Sequence, residues 1–380
     1  MASSLFMRVL VVEPGLADDG ALRVSLDRAA RWCAAGAEVR VLVLSHDDGG
    51  LPADVPEGVD LVHVTPGPAR FRRRLPAALR ALLREARRAD VVVAGREIGD
   101  GLLGAALAAR LTRTPLAVTV QSSPTAAVQQ YVPPRLRALT WRVLRRAQRL
   151  VVVSPGLARE LRAEGVPDHR LRTVPNGVDV DALRAAARCG PLEPLPTGPL
   201  VVAVGRLTRQ KGFDLLVRAH ARALADGALP HRVLVVGEGP DRAELEALVD
   251  DLGVGASVEL AGFRRDVPAI LAGADLFVLP SRWEGFVLVL AEAAVLGVPV
   301  VAADCVGGPA DVLHPEEVGR VVPVEDVPAL ARALAEALRD DGGLRAAAAR
   351  AEVAVPARLS AAAAADSHHR VLAELVGARG

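Results

Sequence analysis

Lysine is almost absent from this chain of 380 residues. Of its 46 basic residues 45 are arginine, and the one lysine is Lys211. It closes the segment Gly205-Arg206-Leu207-Thr208-Arg209-Gln210-Lys211, directly after the apolar run Leu200–Val204. A lysine ammonium is a compact point charge that suits phosphate, and an arginine adds a planar fork. We predict that Arg206 and Lys211 clamp a diphosphate; an ordinary surface lysine in an arginine-biased sequence is the alternative.

Residues that bind metals or form disulfides are also few. The cysteines Cys33, Cys189 and Cys305 lie far apart and form no Cys-x-x-Cys pair, which argues against a disulfide framework and a zinc site. The eight histidines show no His-x3-His spacing. The one Asp-x-Asp, from Asp179 to Asp181, follows an Asn-Gly turn and is interpreted as a helix cap. The sequence therefore predicts no metal and no cofactor.

Long apolar runs are missing as well. None reaches the roughly 18 to 20 residues that span a membrane, and residues 1–6 lack the charged and apolar regions of a signal peptide. With 51% apolar and 24% charged residues, the composition is that of a globular protein. We expect a cytoplasmic location, which suits unpaired cysteines. No Gly-x-Gly-x-x-Gly follows a predicted strand, which argues against a nicotinamide dehydrogenase.

Charge is divided unevenly along the chain. Residues 1–190 carry 28 arginines against 19 acidic residues, whereas residues 191–380 carry 18 basic against 26 acidic residues. Arg70–Arg88 holds eight arginines and Arg135–Arg149 holds six, each with apolar residues on one predicted helical face. Basic amphipathic helices can bind anionic lipid, so peripheral contact at the inner face of the membrane is one prediction. Packing of the apolar faces on a sheet is the alternative, and no motif supports nucleic acid binding.

Short apolar runs alternate with helix-like segments from end to end, which predicts an α/β fold with a doubly wound parallel sheet in each half. Four prolines and two glycines between residues 189 and 199 predict a linker. We predict an amino-terminal domain over 1–188, a carboxyl-terminal domain over 200–356, and a last segment, 357–380, whose helix packs back on the first domain. The predicted strands are Arg8–Val12, Glu38–Leu44, Asp60–Val64, Asp90–Ala94, Leu116–Val120, Leu150–Val153, Leu171–Val174, Leu200–Val204, Arg232–Val236, Ser257–Leu260, Leu276–Leu279, Val298–Ala302 and Arg320–Val322.

A second motif follows the predicted strand Leu276–Leu279. Glu284 lies in the loop after this strand, and Glu292 lies inside the helix that the loop leads into. The free N–H groups of a first helical turn favour anions, and Gly285 lets the backbone approach a ligand closely. Two carboxylates at this spacing can accept hydrogen bonds from sugar and ribose hydroxyls. A capping loop with one buried and one solvated glutamate is the alternative.

Together, these motifs resemble the retaining glycosyltransferases of family 4, which have the GT-B fold of two Rossmann-like domains facing a central cleft. The resemblance rests on the Gly205–Lys211 segment and the Glu-x7-Glu spacing of Glu284 and Glu292, and it covers essentially the whole chain. It implies that the first domain binds the acceptor and the second the nucleotide sugar. Further matches are Pro175-Asn176-Gly177-Val178-Asp179, Gly237-Glu238-Gly239-Pro240-Asp241, Gly262-Phe263-Arg264, Gly307-Gly308-Pro309 and Asp311.

The resemblance assigns roles position by position. Arg206 and Lys211 would hold the diphosphate and stabilise the leaving nucleotide, and Glu284 would contact the donor sugar. Glu292 would bind ribose. The remaining donor-binding positions that it implies are Gly15, Gly237, Gly239, Arg264 and the backbone of Gly285, Phe286 and Val287.

Two positions depart from the family's pattern. The family often has a histidine facing the donor sugar after the strand that here ends at Val120, but this chain has Gln121, which can bind a sugar hydroxyl but cannot take a proton. The amino-terminal Gly-Gly loop is replaced by Gly15-Leu16-Ala17-Asp18-Asp19-Gly20, in which Gly15 and Gly20 still leave room for phosphate. We retain Gln121 as a catalytic candidate.

The expected reaction is transfer of a sugar from a nucleoside diphosphate donor, a UDP-hexose or UDP-N-acetylhexosamine, to an acceptor hydroxyl with anomeric retention. The acceptor is either a cell-envelope or lipid-linked glycan, or a small natural product such as an aminocyclitol antibiotic precursor. A nucleotide-sugar epimerase and a non-catalytic sugar-nucleotide-binding relative remain as alternatives. For a cationic acceptor, Glu13, Glu97 and Asp100 are the candidate acids near strand ends.

Overall fold

Two compact units make up the chain in the computed structural model, which describes residues 6–15, 20–44, 55–63, 71–339 and 342–378. The first unit comprises residues 1–177 and 361–380, and the second comprises residues 178–360. Each unit is built on one sheet in which every paired strand is parallel. The predicted α/β class with two parallel sheets is confirmed.

The first unit has a seven-stranded sheet in the order β3-β2-β1-β4-β5-β6-β7. The chain starts in the middle and winds outward first to one edge and then to the other, as in a doubly wound fold. The strands are β1 (Arg8–Glu13), β2 (Glu38–Val43), β3 (Asp60–His63), β4 (Val91–Ala94), β5 (Leu116–Val120), β6 (Arg149–Val152) and β7 (Leu171–Thr173). The helices between them are α1 (Gly20–Ala34), α2 (Phe71–Arg88), α3 (Gly99–Thr112), α4 (Pro124–Tyr131), α5 (Pro134–Arg146) and α6 (Pro155–Ala163).

The second unit has a six-stranded sheet in the order β10-β9-β8-β11-β12-β13. Its strands are β8 (Leu200–Val204), β9 (Arg232–Val236), β10 (Val258–Gly262), β11 (Leu276–Leu279), β12 (Val300–Ala303) and β13 (Arg320–Val322). Its helices are α7 (Val180–Arg188), α8 (Phe213–Ala225), α9 (Arg242–Asp251), α10 (Val267–Ala272), α11 (Leu288–Val295), α12 (Pro309–Val312), α13 (Val327–Ala337) and α14 (Gly343–Arg358). All thirteen predicted strands form, because continuous apolar runs are what strands covered on both faces require.

The first unit passes into the second between Gly177 and Val178, which is earlier than the predicted linker 189–199. Helix α7 packs on α10 of the second unit. Val178 also donates its N–H to the carbonyl of Leu359 at 2.7 Å. Burial of this helix and strand-like pairing of Val178 therefore place the boundary before α7 rather than after it.

The proline-rich stretch that suggested a linker is held inside the second unit. Glu193 forms an ion pair with Arg264, and Leu192 donates its N–H to Asp266 Oδ2 at 2.6 Å. Proline and glycine mark this stretch as irregular, but its contacts show that it is a tethered surface segment of one unit.

The chain returns to the first unit between Ser360 and Ala361, slightly later than the predicted start at residue 357. From there α15 (Ala361–Gly377) packs on α1. The indole Nε1 of Trp32 in α1 donates to the carbonyl of Ala365 at 2.9 Å, and Trp32 is buried. The last helix is thus an integral part of the first unit's core.

A buried polar pair strengthens this helix contact. Arg28 Nη1 lies 2.9 Å from His368 Nδ1, and both side chains are buried. Burial lowers the pKa of Arg28 to about 10 and the pKa of His368 well below its ordinary value. His368 is therefore neutral, and its Nδ1 accepts the hydrogen bond from the guanidinium.

Candidate functional site

The two motifs of the second unit meet at the carboxyl ends of neighbouring strands. Lys211 follows β8 and Glu284 follows β11, and these strands pair directly. Lys211 Nζ lies 2.7 Å from Glu284 Oε1. Ser281 Oγ donates to the same carboxylate oxygen at 2.6 Å. A cation and a carboxylate that are 73 residues apart in the chain therefore form one charged pair at the edge of the sheet.

The backbone around Glu284 is fixed by its neighbours. Glu284 donates its N–H to the carbonyl of Val306 at 2.8 Å. Gly307 has a φ of 69°, and a Cβ there would collide with the carbonyl of Glu284. Gln210 donates through Nε2 to the carbonyl of Trp283 at 3.0 Å. Close contact of these loops leaves Glu284 only 4% exposed.

Three predicted donor-binding positions follow Glu284 in the chain. Gly285 is buried, and the side chains of Phe286 and Val287 are 8% and 2% exposed. Their side chains are therefore withdrawn from solvent, and the donor-binding role of their backbone stays a prediction. Glu292 is half-buried within α11.

Gly237 and Gly239 lie in the loop after β9, beside the segment that follows β8. Gly237 has a φ of 144°, and a Cβ there would collide with the carbonyl of Gly205. The backbone of Leu207 touches Gly239 and donates its N–H to the carbonyl of Glu238 at 2.9 Å. Side chains would force these two loops apart, so the glycines bring the loop after β9 close to the cation segment.

Arg206 and Arg264 differ in what surrounds them. Arg206 is exposed, and its guanidinium has no hydrogen bond or ion pair with any residue that the structure describes. Arg264 binds Asp266 through two hydrogen bonds of 2.9 and 2.7 Å and is 11% exposed. This contact, with desolvation opposing it, lowers the pKa of Asp266 to about 2. Arg206 is therefore available to bind an anion, whereas the guanidinium of Arg264 is already bonded to Asp266. The donor-binding role of Arg264 stays a prediction.

Cys305 lies two residues after β12, and the charges of Glu284 and Lys211 both act on its thiol. Burial, with the negative charge of Glu284, raises the pKa of its thiol to about 12. The thiol is therefore neutral at ordinary pH and acts as a small apolar wall. Sequence reasoning missed Ser281 and Gln210, because no spacing rule points to a serine or glutamine that orients a carboxylate.

The first unit gathers polar groups at the carboxyl edge of its own sheet. Gln121 follows β5, and its Nε2 donates to the carbonyls of Ala21 at 3.3 Å and Gly95 at 3.4 Å. The N–H of Gln121 donates to Glu97 Oε2 at 3.0 Å. Ser122 donates to the other oxygen of Glu97, which is 3% exposed. Gln121 is thus held by both its backbone N–H and its side-chain Nε2.

The candidate acids of the first unit differ in their access to solvent. Glu13 is 1% exposed and accepts a hydrogen bond of 2.6 Å from Ser25 Oγ. Burial raises the pKa of Glu97. Asp100, in the first turn of α3, is exposed. Gly15 is described just after β1, whereas residues 16–19 of the altered glycine loop lie outside the described residues.

Two family models match this chain. Glycosyl transferases group 1 matches residues 192–353, and Glycosyltransferase Family 4 matches residues 19–182. A D-inositol 3-phosphate glycosyltransferase of Catenulispora acidiphila is 34% identical in an alignment of 337 residues that covers 78% of this chain and 77% of that protein. The chain belongs to family 4 of the glycosyltransferases.

Another relative of this family 4 glycosyltransferase is a 2-deoxystreptamine glucosyltransferase of Streptomyces kanamyceticus. It is 35% identical in an alignment of 237 residues that covers 58% of this chain and 59% of that protein. The chain spans less than two thirds of the length of several such relatives.

Solved structures agree on the fold. Anabaena HepE, crystallised in complex with UDP-glucose, superposes with a TM-score of 0.80 at 20% identity, over 97% of this chain and 100% of that chain. Sucrose-phosphate synthase from Thermosynechococcus elongatus gives 0.81 at 22% identity, over 98% and 100%. The family 4 glycosyltransferase has the GT-B fold, as the sequence predicted.

The two basic helices of the family 4 glycosyltransferase, α2 and α5, differ in how far their apolar residues are buried. In α2, Leu82 and Ala86 are buried and Leu82 packs on Gly104 of α3, so this part of the apolar stripe serves the core. Arg70 and the side chains of residues 71–75 lie outside the described residues. In α5, Leu144 is buried but Leu139 is 44% exposed.

No helix in the described residues is both long and apolar enough to cross a membrane. Nor do three His, Cys, Asp or Glu side chains gather as metal ligands anywhere in that part of the chain.

Proposed function

We propose that this glycosyltransferase transfers a hexose or N-acetylhexosamine from a UDP-sugar to a hydroxyl group, with retention of anomeric configuration. The observation that carries the proposal is the Lys211–Glu284 pair at the carboxyl edge of the second unit's sheet. Lysine has three donor hydrogens, so Lys211 can bind Glu284 and a phosphate oxygen together. Arg206, without a partner among the described residues, supplies the second cation.

The departing group explains why two cations are needed. Cleavage of the sugar–phosphate bond leaves negative charge on the diphosphate, and fixed positive charge stabilises that charge as it develops. Arg206 and Lys211 would do this without a metal ion. The acceptor oxygen would attack the sugar from the face that the diphosphate leaves, and a phosphate oxygen would take the acceptor's proton. Gln121 cannot take a proton, which fits this route.

The donor sugar would lie against Glu284, whose carboxylate is oriented by Ser281 and Lys211. Glu292 would bind the ribose, and the backbone of residues 285–287 would line the sugar or phosphate. The choice of UDP is supported by the structural relative HepE, which was crystallised in complex with UDP-glucose.

For the acceptor we propose a small polyhydroxylated ring. The names of two relatives specify cyclitols, namely 2-deoxystreptamine and D-inositol 3-phosphate. Glu13 and Glu97 are buried and bonded to serine hydroxyls, so they are not available to a cationic acceptor. Asp100 is the exposed acid of the three. This arrangement disfavours a strongly cationic aminocyclitol, which would need more than one available acid.

A lipid-linked glycan is the second candidate acceptor. It is favoured by the exposed Leu139 and the neighbouring arginines of α5, which would place the enzyme at the inner face of a membrane.

The donor proposal is tested by thermal unfolding with UDP, GDP, ADP and dTDP. A nucleotide at about 100 times its Kd stabilises the fold that binds it by about 2.7 kcal/mol. We expect UDP to raise the melting temperature of wild type and Arg222→Ala, a control on exposed α8 surface, but not of Lys211→Ala or Arg206→Ala. No shift with any nucleotide, or an equal shift in all four proteins, would contradict the donor site.

Turnover separates transfer from the two alternatives. UDP-glucose is incubated with and without a cyclitol, and the products are followed by NMR, in which the anomeric coupling reports configuration. A product with the donor's anomeric configuration, formed equally in the presence of EDTA, is the expected result. Conversion of the donor sugar without acceptor would indicate an epimerase, and UDP binding with no turnover on any acceptor would indicate a binding protein.

A further inference from the structure

Arg282 lies two residues before Glu284, and all three nitrogens of its guanidinium are hydrogen-bonded. Nη1 and Nη2 each lie 2.8 Å from an oxygen of Asp214, and Nε lies 2.6 Å from Glu325 Oε1. Nη1 also donates to the carbonyl of Arg209 at 2.8 Å. The side chain of Arg282 is 10% exposed, and the two carboxylates raise its pKa. These bonds use four of the five N–H groups of the guanidinium.

These partners come from two parts of the chain. Arg209 begins the short 3-10 turn that ends at Lys211, and Asp214 lies in the first turn of α8. Glu325 lies between β13 and α13. The backbone N–H of Arg282 adds a bond of 2.8 Å to the carbonyl of Gln210. Arg282 therefore joins the loop that carries Glu284 to the turn that carries Lys211.

Glu325 supplies an independent sign that this junction is under constraint. Its φ is 62°, and the one other non-glycine residue with positive φ in the described part of the chain is Arg113, which ends helix α3. A left-handed backbone at such a residue persists where the surroundings hold it. Here its carboxylate is held by Arg282 Nε.

We propose that Arg282 is a positioning residue that fixes the position of Glu284 relative to Lys211. Asp214 and Glu325 hold the guanidinium, and the guanidinium holds the carbonyl of Arg209. Loss of Arg282 would free the Glu284 loop to move relative to the Lys211 turn. The geometric part of this proposal is independent of the function; its consequence for donor binding rests on the proposed function.

Because the chain has a single lysine, the pairing of Lys211 with Glu284 can be followed directly. Protein grown with ¹³C,¹⁵N-lysine has one lysine side-chain signal, that of Lys211, and Glu284→Gln fixes where this signal lies when the charge pair is lost. We expect Arg282→Met to move the signal toward the Glu284→Gln position. An unmoved signal in folded Arg282→Met would overturn the proposal.

His220→Leu is the matched control for general loosening. His220 is buried in the same unit and contacts His231 at 2.8 Å and Ser257 at 2.7 Å. His231 and Ser257 precede β9 and β10, so this network lies at the amino edge of the sheet, opposite the charged pair. We expect His220→Leu to lower stability and leave the lysine signal at its wild-type position. Equal movement in both variants would reduce Arg282 to a stability role.

Two milder variants protect the test if Arg282→Met does not fold. Asp214→Asn and Glu325→Gln each weaken one arm of the network and keep the arginine. We expect both to move the lysine signal in the same direction by a smaller amount. A wild-type signal in both would contradict the proposal.

UDP titration then separates the two proposals. We expect the Kd for UDP to rise roughly tenfold in Arg282→Met, which is the size of effect typical of residues that belong to one hydrogen-bond network. Arg282→Lys should recover part of the affinity, and His220→Leu should leave the Kd unchanged. If the lysine signal moves but wild type binds no UDP, the positioning role stands and the proposed donor fails. If UDP binds equally to wild type and Arg282→Met, the positioning role fails and the donor stands.

Discussion

Three arginines of the second unit show why residue type alone does not assign a role. Arg206 is exposed and unpaired among the described residues, Arg264 is paired with Asp266, and Arg282 is bound on all three of its nitrogens. Each follows a strand, so position in the chain does not separate them. The distinction depends on carboxylates brought close by the fold, and only the structure places those.

The histidine network of the second unit predicts a pH dependence of its stability. Burial and the neighbouring His231 lower the pKa of His220 to about 4. In the unfolded chain its pKa is the ordinary 6.5, so the unfolded state takes up a proton first. This contribution to stability is therefore full above 6.5 and is lost as the pH falls toward 4.

We expect the free energy of unfolding of the second unit to fall by about 2 kcal/mol between about pH 7 and about pH 5 from His220 alone. Urea unfolding at both pH values measures it. His220→Gln, which is neutral and still able to form hydrogen bonds, should lose less stability over the same range. The same slope in wild type and variant would mean that His220 is not the group that titrates.

At the scale of elements, the sequence predicted most of what the structure contains. Continuous apolar runs placed all thirteen strands, and the Gly205–Lys211 segment and Glu284 were each predicted to follow a strand. That these two strands pair directly was not predicted. The unit boundary was misplaced, because proline content at 189–199 does not reveal that α7 packs on α10. The partners of Arg264 and Arg282 were equally hidden, since they are contacts between distant segments.

The exposed face of helix α5 predicts binding to anionic lipid. Arg142 and Arg146 are exposed, lie one turn apart beside the exposed Leu139, and have no side-chain partner in the part of the chain that the structure describes. Each arginine near an anionic bilayer contributes about 1 kcal/mol of attraction. We expect Arg142→Glu with Arg146→Glu to weaken binding to phosphatidylserine vesicles at least tenfold in a sedimentation assay.

The control has the same change of charge on the same spacing. Arg218 and Arg222 are exposed and one turn apart on α8 of the second unit, so Arg218→Glu with Arg222→Glu should leave vesicle binding close to wild type. Equal loss of binding in both double variants would show that net charge, rather than a defined face of α5, determines vesicle binding. Absence of binding in wild type would contradict the membrane proposal.

At the scale of the whole molecule, the two units differ in how the chain builds them. The second unit is one continuous stretch, 178–360, with its own core and the charged pair. The first unit is completed only by residues 361–380. Without α15, Trp32 loses the carbonyl of Ala365, and the buried Arg28 loses its acceptor. A buried donor left unpaired costs more than the bond itself contributes.

We therefore expect fragment 178–360 to unfold cooperatively and to bind UDP with an affinity within a few-fold of the whole chain. Fragment 1–177 should be unstable alone, and addition of a peptide of residues 361–380 should restore cooperative melting, which circular dichroism detects. A His368→Ala peptide is the control: it removes the acceptor for Arg28 and the ring that packs on Trp32, so it should restore less. Stable folding of 1–177 without the peptide would mean that α15 only covers a core that is already complete.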